Sequence, residues 1–300
     1  MKDKQIIVLM GGPSEEAEVS RRTGAAIAEA LVSKGYKAQT LELNPRTVLK
    51  DIDSLGGEVV FNAIHGRYGE DGALQGLLEM AEIPYTGSGI MAHAVGMNKK
   101  VSKDVFKGAN IPTARSESYN GNLESAEAII DHIRKEFTIP VVVKSATQGS
   151  SIGVTIVREE SQLEAAVTEA LKYDPILVVE QFLDGREFTV AVLDGKALSV
   201  IEIRPHSGEY DYKSKYTVGA TEYLVPAPIS DEMTAEMQRI GELVYREVQG
   251  SGVIRVDIMT DHADKMYVLE YNTVPGMTAT SLQLLSCWWG CLHYLFLLDP

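Results

Sequence analysis

Apolar residues in the first ninety positions alternate between short continuous runs and stretches with helical spacing. The run Gln5–Met10 is followed by Gly11-Gly12 and then by a segment with helical spacing that stops at Gly35. Short apolar runs bounded by glycine indicate buried strands, and apolar positions three and four residues apart indicate helices. The alternation continues with strands at 37–43 and 58–64 and helices at 46–51 and 71–81. This order predicts a small α/β unit built on a parallel sheet.

The pattern changes after residue 97, where strands and helices no longer alternate regularly. The segments with clear signatures are helices at 99–108, 125–137 and 161–172, and strands at 140–144, 176–183, 188–193 and 198–203. A polar, tyrosine-rich segment at 206–220 has weak periodicity, which is typical of a long functional loop. We therefore predict three domains, at 1–95, 96–184 and 185–300, with an atypical tail at 283–300.

Residues 253–277 form the most informative pattern in the chain, two strands joined by a polar turn. Because side chains alternate across a strand, Arg255 and Asp257 should share one face of the first strand, and Glu270 and Asn272 one face of the second. Two carboxylates and an amide oxygen are ligands that suit Mg²⁺. The spacing predicts a magnesium site at Asp257, Glu270 and Asn272, although an exposed hairpin with scattered acids would have the same spacing.

Composition and charge exclude several classes of partner. The chain has 300 residues, 45% of them hydrophobic, and a formal net charge of −14. Such a charge provides no general positive field for a nucleic acid or an anionic membrane, so an anionic substrate needs a local cluster of cations. The N-terminal apolar run is too short for a signal peptide, which favours a cytoplasmic protein. Cys287 and Cys291 both lie near the C-terminus and indicate neither a disulfide framework nor a split metal site.

Two glycine-containing segments suggest different kinds of nucleotide contact. Gly11-Gly12 follows a strand, but the third glycine of a dinucleotide-binding fingerprint is missing. Residues 148–153, QGSSIG, lie between two predicted strands, where a flexible loop can fold over phosphates and offer backbone N–H groups. A simple turn would have the same composition, so the phosphate role depends on the rest of the chain.

Eight motifs in consecutive order resemble those of the ATP-grasp ligases, and within them the D-alanine–D-alanine ligase family. They run from residue 5 to about residue 282 and are GGPSEEAEVS, HGRYGEDG, TGSG, KSATQGSSIGV, EQFLDGREFTV, YDYKSKY, RVDIM and LEYNTVPGMTATSL. The resemblance implies an α/β ATP-grasp fold preceded by a Rossmann-like domain. It also implies a cytoplasmic homodimer that makes D-alanyl-D-alanine for peptidoglycan through a D-alanyl phosphate.

The resemblance implies how this chain would hold ATP. Phosphoryl transfer requires charge neutralisation, which it assigns to lysines and to two Mg²⁺ ions, or Mn²⁺ in their place, at Asp257, Glu270 and Asn272. The lysines are Lys99, Lys144 and Lys215. Ser151, in the QGSSIG segment that we call the glycine loop, would contact phosphate. Glu180, Phe182, Leu183 and Glu187 match the nucleotide positions, with Glu187 accepting from the ribose hydroxyls.

The remaining matches concern the two D-alanines. The resemblance gives Glu16 the ammonium of the first D-alanine, linked through Ser150 and Tyr216 into a closed lid. Arg255 and the N–H of Gly276 would stabilise the oxyanion, and His65 would orient substrate or take a proton unless it is only a packing histidine. The residues matching the pocket for the second D-alanine are Ser281 and Leu282. Tyr216 favours an amine acceptor, although a tyrosine that merely covers the site is the alternative.

The sequence departs from the family pattern at two places. Ala17 stands where the family usually has arginine, which removes one support for Glu16. The tail after residue 282 contains both tryptophans and both cysteines and no lysine or arginine, and we interpret it as an altered reading frame that would reduce solubility. Two alternatives remain open: a ligase with a D-lactate or D-serine acceptor, and a nucleotide-binding protein with impaired catalysis.

Overall fold

The first sheet of the structure is the parallel sheet that the sequence predicts. A computed structural model describes residues 1–149, 152–208, 214, 217 and 219–277. The strands β1 (Gln5–Met10), β2 (Lys37–Glu42) and β3 (Val59–Asn62) are parallel in the order β2-β1-β3. The helices of this unit are α1 (Ala17–Ser33), α2 (Val48–Ser54) and α3 (Ala73–Met80).

Strand β1 is apolar throughout because both of its faces are covered. Ile7 and Leu9 pack with residues of α2 and α3, whereas Ile6 and Val8 pack with residues of α1. These are successive positions on the strand, so alternate side chains enter separate cores. A continuous apolar run is therefore what a central strand of this kind requires.

The end of β1 turns sharply at the glycine pair. Gly11 has a φ of +74°, and a Cβ at this position would lie 2.0 Å from Glu42 Oε1, so only glycine fits without a shift. The Gly11 N–H donates to Ser20 Oγ at 2.8 Å, and Ser20 Oγ donates to the carbonyl of Ala63 at 2.6 Å. These bonds bring the GGPSEEAEVS segment to the carboxyl ends of β1 and β3, where ligands bind in sheets of this type.

The second sheet is antiparallel and carries two helices on one face. Two helices, α4 (Ile90–Met97) and α5 (Lys99–Gly108), precede it. Its elements are β4 (Ser116–Asn120), α6 (Ala126–Glu136), β5 (Val141–Ser145), β6 (Val154–Val157), α7 (Leu163–Tyr173) and β7 (Ile176–Gln181). The strand order is β4-β7-β5-β6, and α6 and α7 share one apolar core with the sheet. The QGSSIG segment connects β5 to β6.

The third sheet has a helix on one face, and its other face carries the candidate site. Its elements are β8 (Glu187–Leu193), β9 (Lys196–Pro205), β10 (Thr221–Leu224), α8 (Asp231–Glu247), β11 (Val253–Thr260) and β12 (Met266–Asn272). The strands are antiparallel in the order β10-β9-β8-β11-β12. Apolar residues of α8 pack with those of β8, β11 and β12 in one core, to which α5 contributes Phe106.

Helix α4, which follows the first unit in the chain, is joined to the third sheet by hydrogen bonds. Tyr271 on β12 donates to the carbonyl of Ala92 at 2.7 Å, and Thr273 Oγ1 lies 2.7 Å from His93 Nδ1. These contacts place α4 beside the end of β12. In the described part of the chain, no helix is long and apolar enough to cross a membrane.

Candidate functional site

Four polar residues of the β11–β12 hairpin lie on one face, as the sequence predicts. Arg255 pairs directly with Asn272, and Asp257 pairs with Glu270. Directly opposed residues of antiparallel strands point to the same side, and residues two apart on one strand do so as well. The face is opposite the α8 core, which receives Ile254, Val256 and Ile258 instead.

A β-bulge at Leu269 sets the direction of Glu270. The register passes from Asp257–Glu270 to Ile258–Val268, so Leu269 is an extra residue on β12. Simple alternation would put Val268 and Glu270 on the same face because they are two residues apart. The bulge lets Val268 enter the apolar core, where it is fully buried, while Glu270 faces the site.

Asp257 is the most extensively bonded acid of this face. Arg255 donates to both of its carboxylate oxygens, Nε to Oδ1 at 2.9 Å and Nη2 to Oδ2 at 2.8 Å. Thr189 Oγ1 on β8 donates to Oδ1 at 2.7 Å, and Asn272 Nδ2 donates to Oδ2 at 3.1 Å. Thr189 was not predicted from the sequence, because a threonine inside an apolar strand gives no signal of its own. Its hydroxyl orients Asp257 from the neighbouring strand.

The donor set of this face fits a hard cation. Asp257, Glu270 and Asn272 contribute carboxylate and amide groups, which is the chemistry that Mg²⁺ prefers. No group of three or more His, Cys, Asp and Glu side chains suited to a metal occurs among the described residues. A site with two carboxylates and one amide leaves the rest of the metal shell to water and phosphate oxygens, as is usual for Mg²⁺ bound with a nucleotide.

Two of the predicted lysines lie close to these acids. Lys99, the first residue of α5, has its Nζ 3.7 Å from Glu270 Oε2. It also donates to the carbonyl of Gln148 at the start of the glycine loop. Lys144 on β5 donates to Glu180 Oε2 on β7 at 3.0 Å. The site therefore contains the local cations that the net charge of the chain lacks.

Burial and charge oppose each other at Glu180 and Lys144. Burial favours a higher pKa for the Glu180 carboxyl, but the ammonium groups of Lys103 and Lys144 together outweigh it and lower the pKa. Burial likewise favours a lower pKa for Lys144, and the carboxylates of Glu180, Glu270 and Glu187 outweigh it and raise the pKa. Both groups are therefore charged at neutral pH.

The other predicted nucleotide residues lie at the junction of the second and third sheets. Leu183 is buried, and Phe182 is partly buried with the Arg158 guanidinium 4.9 Å from its ring centre. Glu187 is the first residue of β8 and lies two positions before Thr189, so the two side chains share a face of the sheet. Because Thr189 is paired with Asp257, Glu187 lies on the same face as Asp257. Phe182 and Leu183 follow Glu180 directly along the chain, and the charge of Glu187 acts on Lys144, the partner of Glu180.

Glu16 precedes α1, and its carboxylate lies between Gly66 of the first unit and Gly149 of the glycine loop. A Cβ on Gly149 would lie 2.9 Å from Glu16 Oε2, and one on Gly66 would lie 3.1 Å from the same oxygen. Glycine at both positions therefore leaves room for the carboxylate. A cleft of about 490 Å³ opens beside Glu16 and is lined also by Arg67, Asn98, Thr147 and Gln148.

Glu70 is a second acid beside Gly66, and it is not among the predicted site residues. Its Oε2 accepts from the Gly66 N–H at 2.6 Å, and its Oε1 accepts from the Val274 N–H at 3.3 Å. Burial, followed by the nearby charge of Glu16, raises the pKa of Glu70 to about 8. Its place between two glycines in HGRYGEDG is the signal that could have indicated a backbone-binding role. Gly276, a predicted oxyanion donor, lies two residues after Val274.

His65 is buried three residues after the end of β3 and lies against the backbone of Val274. Its Nε2 lies 3.1 Å from Thr23 Oγ1, and the ring also bonds to the backbone of Val274. Burial and then the charge of Arg255 lower the pKa of His65 to about 4. A neutral ring at pH 7 fits an orienting or packing role better than proton storage.

Several predicted site residues lie outside the described residues. They are Ser150, Ser151, Lys215, Tyr216, Ser281 and Leu282, and their roles remain predictions. The tail at 283–300, with Cys287 and Cys291, lies outside them as well.

Comparisons with known proteins identify the family of this chain. A family model described as "D-ala D-ala ligase C-terminus" matches residues 105–299, and one described as "D-ala D-ala ligase N-terminus" matches residues 37–88. A D-alanine–D-alanine ligase of Geotalea uraniireducens (strain Rf4) is 44% identical over 282 residues, which cover 94% of this chain and 89% of that protein.

Solved structures of the same kind are similar over nearly the whole chain. The crystal structure of D-alanine–D-alanine ligase from Bacillus anthracis matches with a TM-score of 0.85 and 32% identity, covering 99% of this chain and 95% of that one. The structure of the Bacillus anthracis ligase complexed with ATP matches with a TM-score of 0.84 and 30% identity, at the same coverage.

Proposed function

The chain belongs to the D-alanine–D-alanine ligase family, and from this premise we propose that it joins two D-alanines into D-alanyl-D-alanine with ATP. The reaction supplies a peptidoglycan precursor and passes through a D-alanyl phosphate. The predicted fold, an ATP-grasp fold preceded by a parallel α/β domain, is confirmed by the similarity to the Bacillus anthracis ligase.

The observation that carries the proposal is the shared face of β8, β11 and β12. It gathers Arg255, Asp257, Glu270 and Asn272 within reach of Lys99, and the paired Lys144 and Glu180 lie on the neighbouring sheet. Acids that suit a metal, beside lysines that suit phosphates, form the arrangement that phosphoryl transfer requires.

In the first step, a carboxylate oxygen of one D-alanine attacks the γ-phosphorus of ATP. The bond from that phosphorus to the β,γ-bridging oxygen breaks, and ADP leaves. Lys99 and Lys144 would bind phosphate oxygens and neutralise charge that develops on them. Glu16, beside Gly66 and Gly149, would hold the ammonium of this D-alanine. Asp257, Glu270 and Asn272 would hold Mg²⁺, or Mn²⁺, which supplies further charge neutralisation when bound.

In the second step, the neutral amine of another D-alanine attacks the acyl carbon of the D-alanyl phosphate. A tetrahedral centre forms, the carbon–oxygen bond to phosphate breaks, and the proton lost by the amine leaves with the phosphate. Arg255 would stabilise the oxyanion, because a guanidinium fixed on a sheet needs no reorganisation as charge develops. The Gly276 N–H would be the second donor, in a segment whose start is held by the bond from Val274 to Glu70.

Other properties belong to the same proposal. The chain would divide into domains at 1–95, 96–184 and 185–300, a division compatible with its three separate sheets. It would act in the cytoplasm, where ATP is available, and as a homodimer, as the family resemblance implies.

The test is phosphate release from ATP with D-alanine, L-alanine and D-lactate supplied separately and in pairs. We expect release and a dipeptide product with D-alanine alone. Release that requires D-lactate would replace the proposal with an ester-forming ligase. ATP binding without release under any condition would indicate a nucleotide-binding protein without ligase activity.

A further inference from the structure

A buried lysine in α5 has no role in the reaction as described. Lys103 lies one turn after Lys99 and is only 2% exposed. Lysine is almost never fully buried unless its ammonium is paired, because removing a charge from water is costly. The residue therefore requires an explanation from its partners.

Among the described residues, the Lys103 ammonium has two direct partners, and one of them is bonded in turn to β12. Its Nζ lies 3.3 Å from Glu180 Oε1 at the end of β7 and donates to Thr113 Oγ1 at 2.8 Å. Thr113 Oγ1 in turn donates to the carbonyl of Val268 on β12 at 2.8 Å. The lysine head is thus fixed between the strand that carries Glu180 and the strand that carries the predicted metal ligands.

Glu180 has two ammonium partners that differ in exposure. Lys103 forms an ion pair with Oε1, and its side chain is 2% exposed. Lys144 forms an ion pair with Oε2, and its side chain is 13% exposed. Lys103 is enclosed by the protein and cannot contact a nucleotide from this position. Lys144 lies nearer to solvent and is influenced by the charges of Glu270 and Glu187 across the site.

The two lysines therefore cannot be equivalent once a nucleotide is bound. If Lys144 were the only counter-ion of Glu180, moving its ammonium to a phosphate would leave a buried carboxylate unpaired, which is strongly unfavourable. With Lys103 in place, the Glu180 carboxylate stays paired, and the Lys144 ammonium can leave it for a phosphate of the nucleotide.

We propose that Lys103 is a positioning residue that fixes the Glu180 carboxylate and leaves Lys144 available to the phosphates of ATP. The inference rests on the proposed function, because it requires ATP as the bound nucleotide. It makes nucleotide affinity depend on a side chain that does not touch the nucleotide.

The direct test replaces Lys103 with methionine, which keeps most of the apolar stem and removes the charge. We expect Lys103→Met to raise the dissociation constant for ATP, measured by calorimetry, and the KM for ATP by about 10-fold or more, with the KM for D-alanine changed by less than about 2-fold. Unchanged ATP affinity, or a parallel rise of both KM values as in a generally loosened site, would overturn the inference.

A lysine on the same helix provides the matched control. Lys107 lies one turn after Lys103, and its Nζ donates to the carbonyl of Ser116 at 3.2 Å rather than to Glu180. Lys107→Met should leave the ATP dissociation constant at the wild-type value. A loss equal to that of Lys103→Met would show that any lysine of α5 has this effect, against the proposal.

A milder pair of variants keeps the test valid if Lys103→Met does not fold. Thr113→Val removes the hydroxyl that binds the ammonium but keeps the lysine, whereas Thr113→Ser keeps the hydroxyl. We expect weaker ATP binding in Thr113→Val and recovery toward the wild-type value in Thr113→Ser. Equal ATP affinity in both variants would contradict the proposal.

A double-mutant cycle tests whether Lys103 acts through Glu180. With Glu180→Gln already present, adding Lys103→Met should cost little or no further ATP affinity, because the carboxylate to be positioned is gone. Fully additive losses would mean that Lys103 acts independently and would overturn the inference. A wild-type protein that does not bind ATP would instead refute the proposed function.

Discussion

At the scale of single residues, the sequence indicates the groups predicted to bind metal and substrate better than the groups that support them. Asp257, Glu270 and Asn272 follow from strand alternation, and the structure places them on one face. Lys103 lies on the buried face of α5 with Lys99, Ser102 and Phe106. A pattern of apolar and polar residues predicts that a lysine is exposed, so it does not reveal this burial. Its partner Glu180 is 77 positions away in the chain, so the pair becomes evident only in the folded protein.

Replacing Asp257 with asparagine should remove activity without removing the fold. Asparagine has nearly the same shape and can still accept from Thr189, but it lacks the charge that pairs with Arg255 and would bind a metal. We expect ATP-dependent phosphate release to fall by about 100-fold or more, with a melting temperature close to that of the wild type. Asp261→Asn, in the turn after β11, is the control that should keep activity. Full activity in Asp257→Asn would refute the metal assignment.

Glu70 should make stability depend on pH in a direction opposite to that of an ordinary acid. Burial and the charge of Glu16 raise its pKa to about 8, so the folded state keeps a proton that the unfolded state releases above its ordinary pKa of 4.5. The resulting stabilisation is complete below pH 4.5 and is lost as pH rises to about 8. Glu70→Gln mimics the protonated carboxyl and should lose less stability than the wild type between pH 6.5 and pH 8.5, by on the order of 2 kcal/mol.

The measurement is denaturant unfolding of the wild type and Glu70→Gln at pH 6.5 and pH 8.5. Glu15→Gln, which changes an exposed glutamate at the same cleft, should follow the wild type. Identical pH dependence in all three proteins would show that Glu70 is ionised in the folded state.

At the scale of secondary-structure elements, the sequence was most informative where periodicity was strong. Strand β1 and helix α5 begin and end at the predicted residues. Helix α4 was not predicted because its residues, IMAHAVGM, are apolar on nearly all sides and show no helical face. Helix α8 is not among the predicted helices, although the sequence contains a start signal for it: Ser230 accepts from the Met233 N–H as an N-cap, and two acids follow. The polar strand β4 gave no alternation to detect.

The bulge at Leu269 could not be predicted from alternation. Deleting Leu269 removes the bulge and tests whether it contributes to activity. Deleting Leu269 would leave Val268 paired toward the core and Glu270 toward the site in a regular ladder, so the fold should persist. The local bend that directs Glu270 would be lost, and bulges near active sites commonly serve to direct a side chain. We expect phosphate release to fall by about 10-fold or more in the deletion variant, with the circular dichroism spectrum retained.

Leu269→Ala is the matched control for the deletion. It keeps the extra residue and trims only a partly exposed side chain, so it should retain nearly full activity. Equal activity of the deletion variant and Leu269→Ala would mean that the bend has no functional value.

At the scale of the whole molecule, the site lies where three sheets meet, and long-range contacts assemble it. The first unit contributes Glu16, His65 and Glu70, the second sheet Lys144 and Glu180, and the third sheet the predicted metal ligands and Arg255. Tyr271 and Thr273 bond to α4, and Val274 bonds to Glu70, so the first unit is attached to the end of β12. Fold class and most motif positions could be predicted from the sequence, whereas this attachment depends on residues about 180 to 204 positions apart.

The pairing of Arg255 with Asp257 and of Lys99 with Glu270 has a consequence for the order of assembly. Both carboxylates already have cationic partners within the chain, so no repulsion between them needs a metal to relieve it. The protein should complete its folding without a divalent ion and acquire one together with the nucleotide, unlike small domains whose folding depends on metal. Treatment with EDTA should stop phosphate release and leave the melting temperature unchanged within about 2 °C. A large fall in melting temperature would mean that the chain needs the ion to fold.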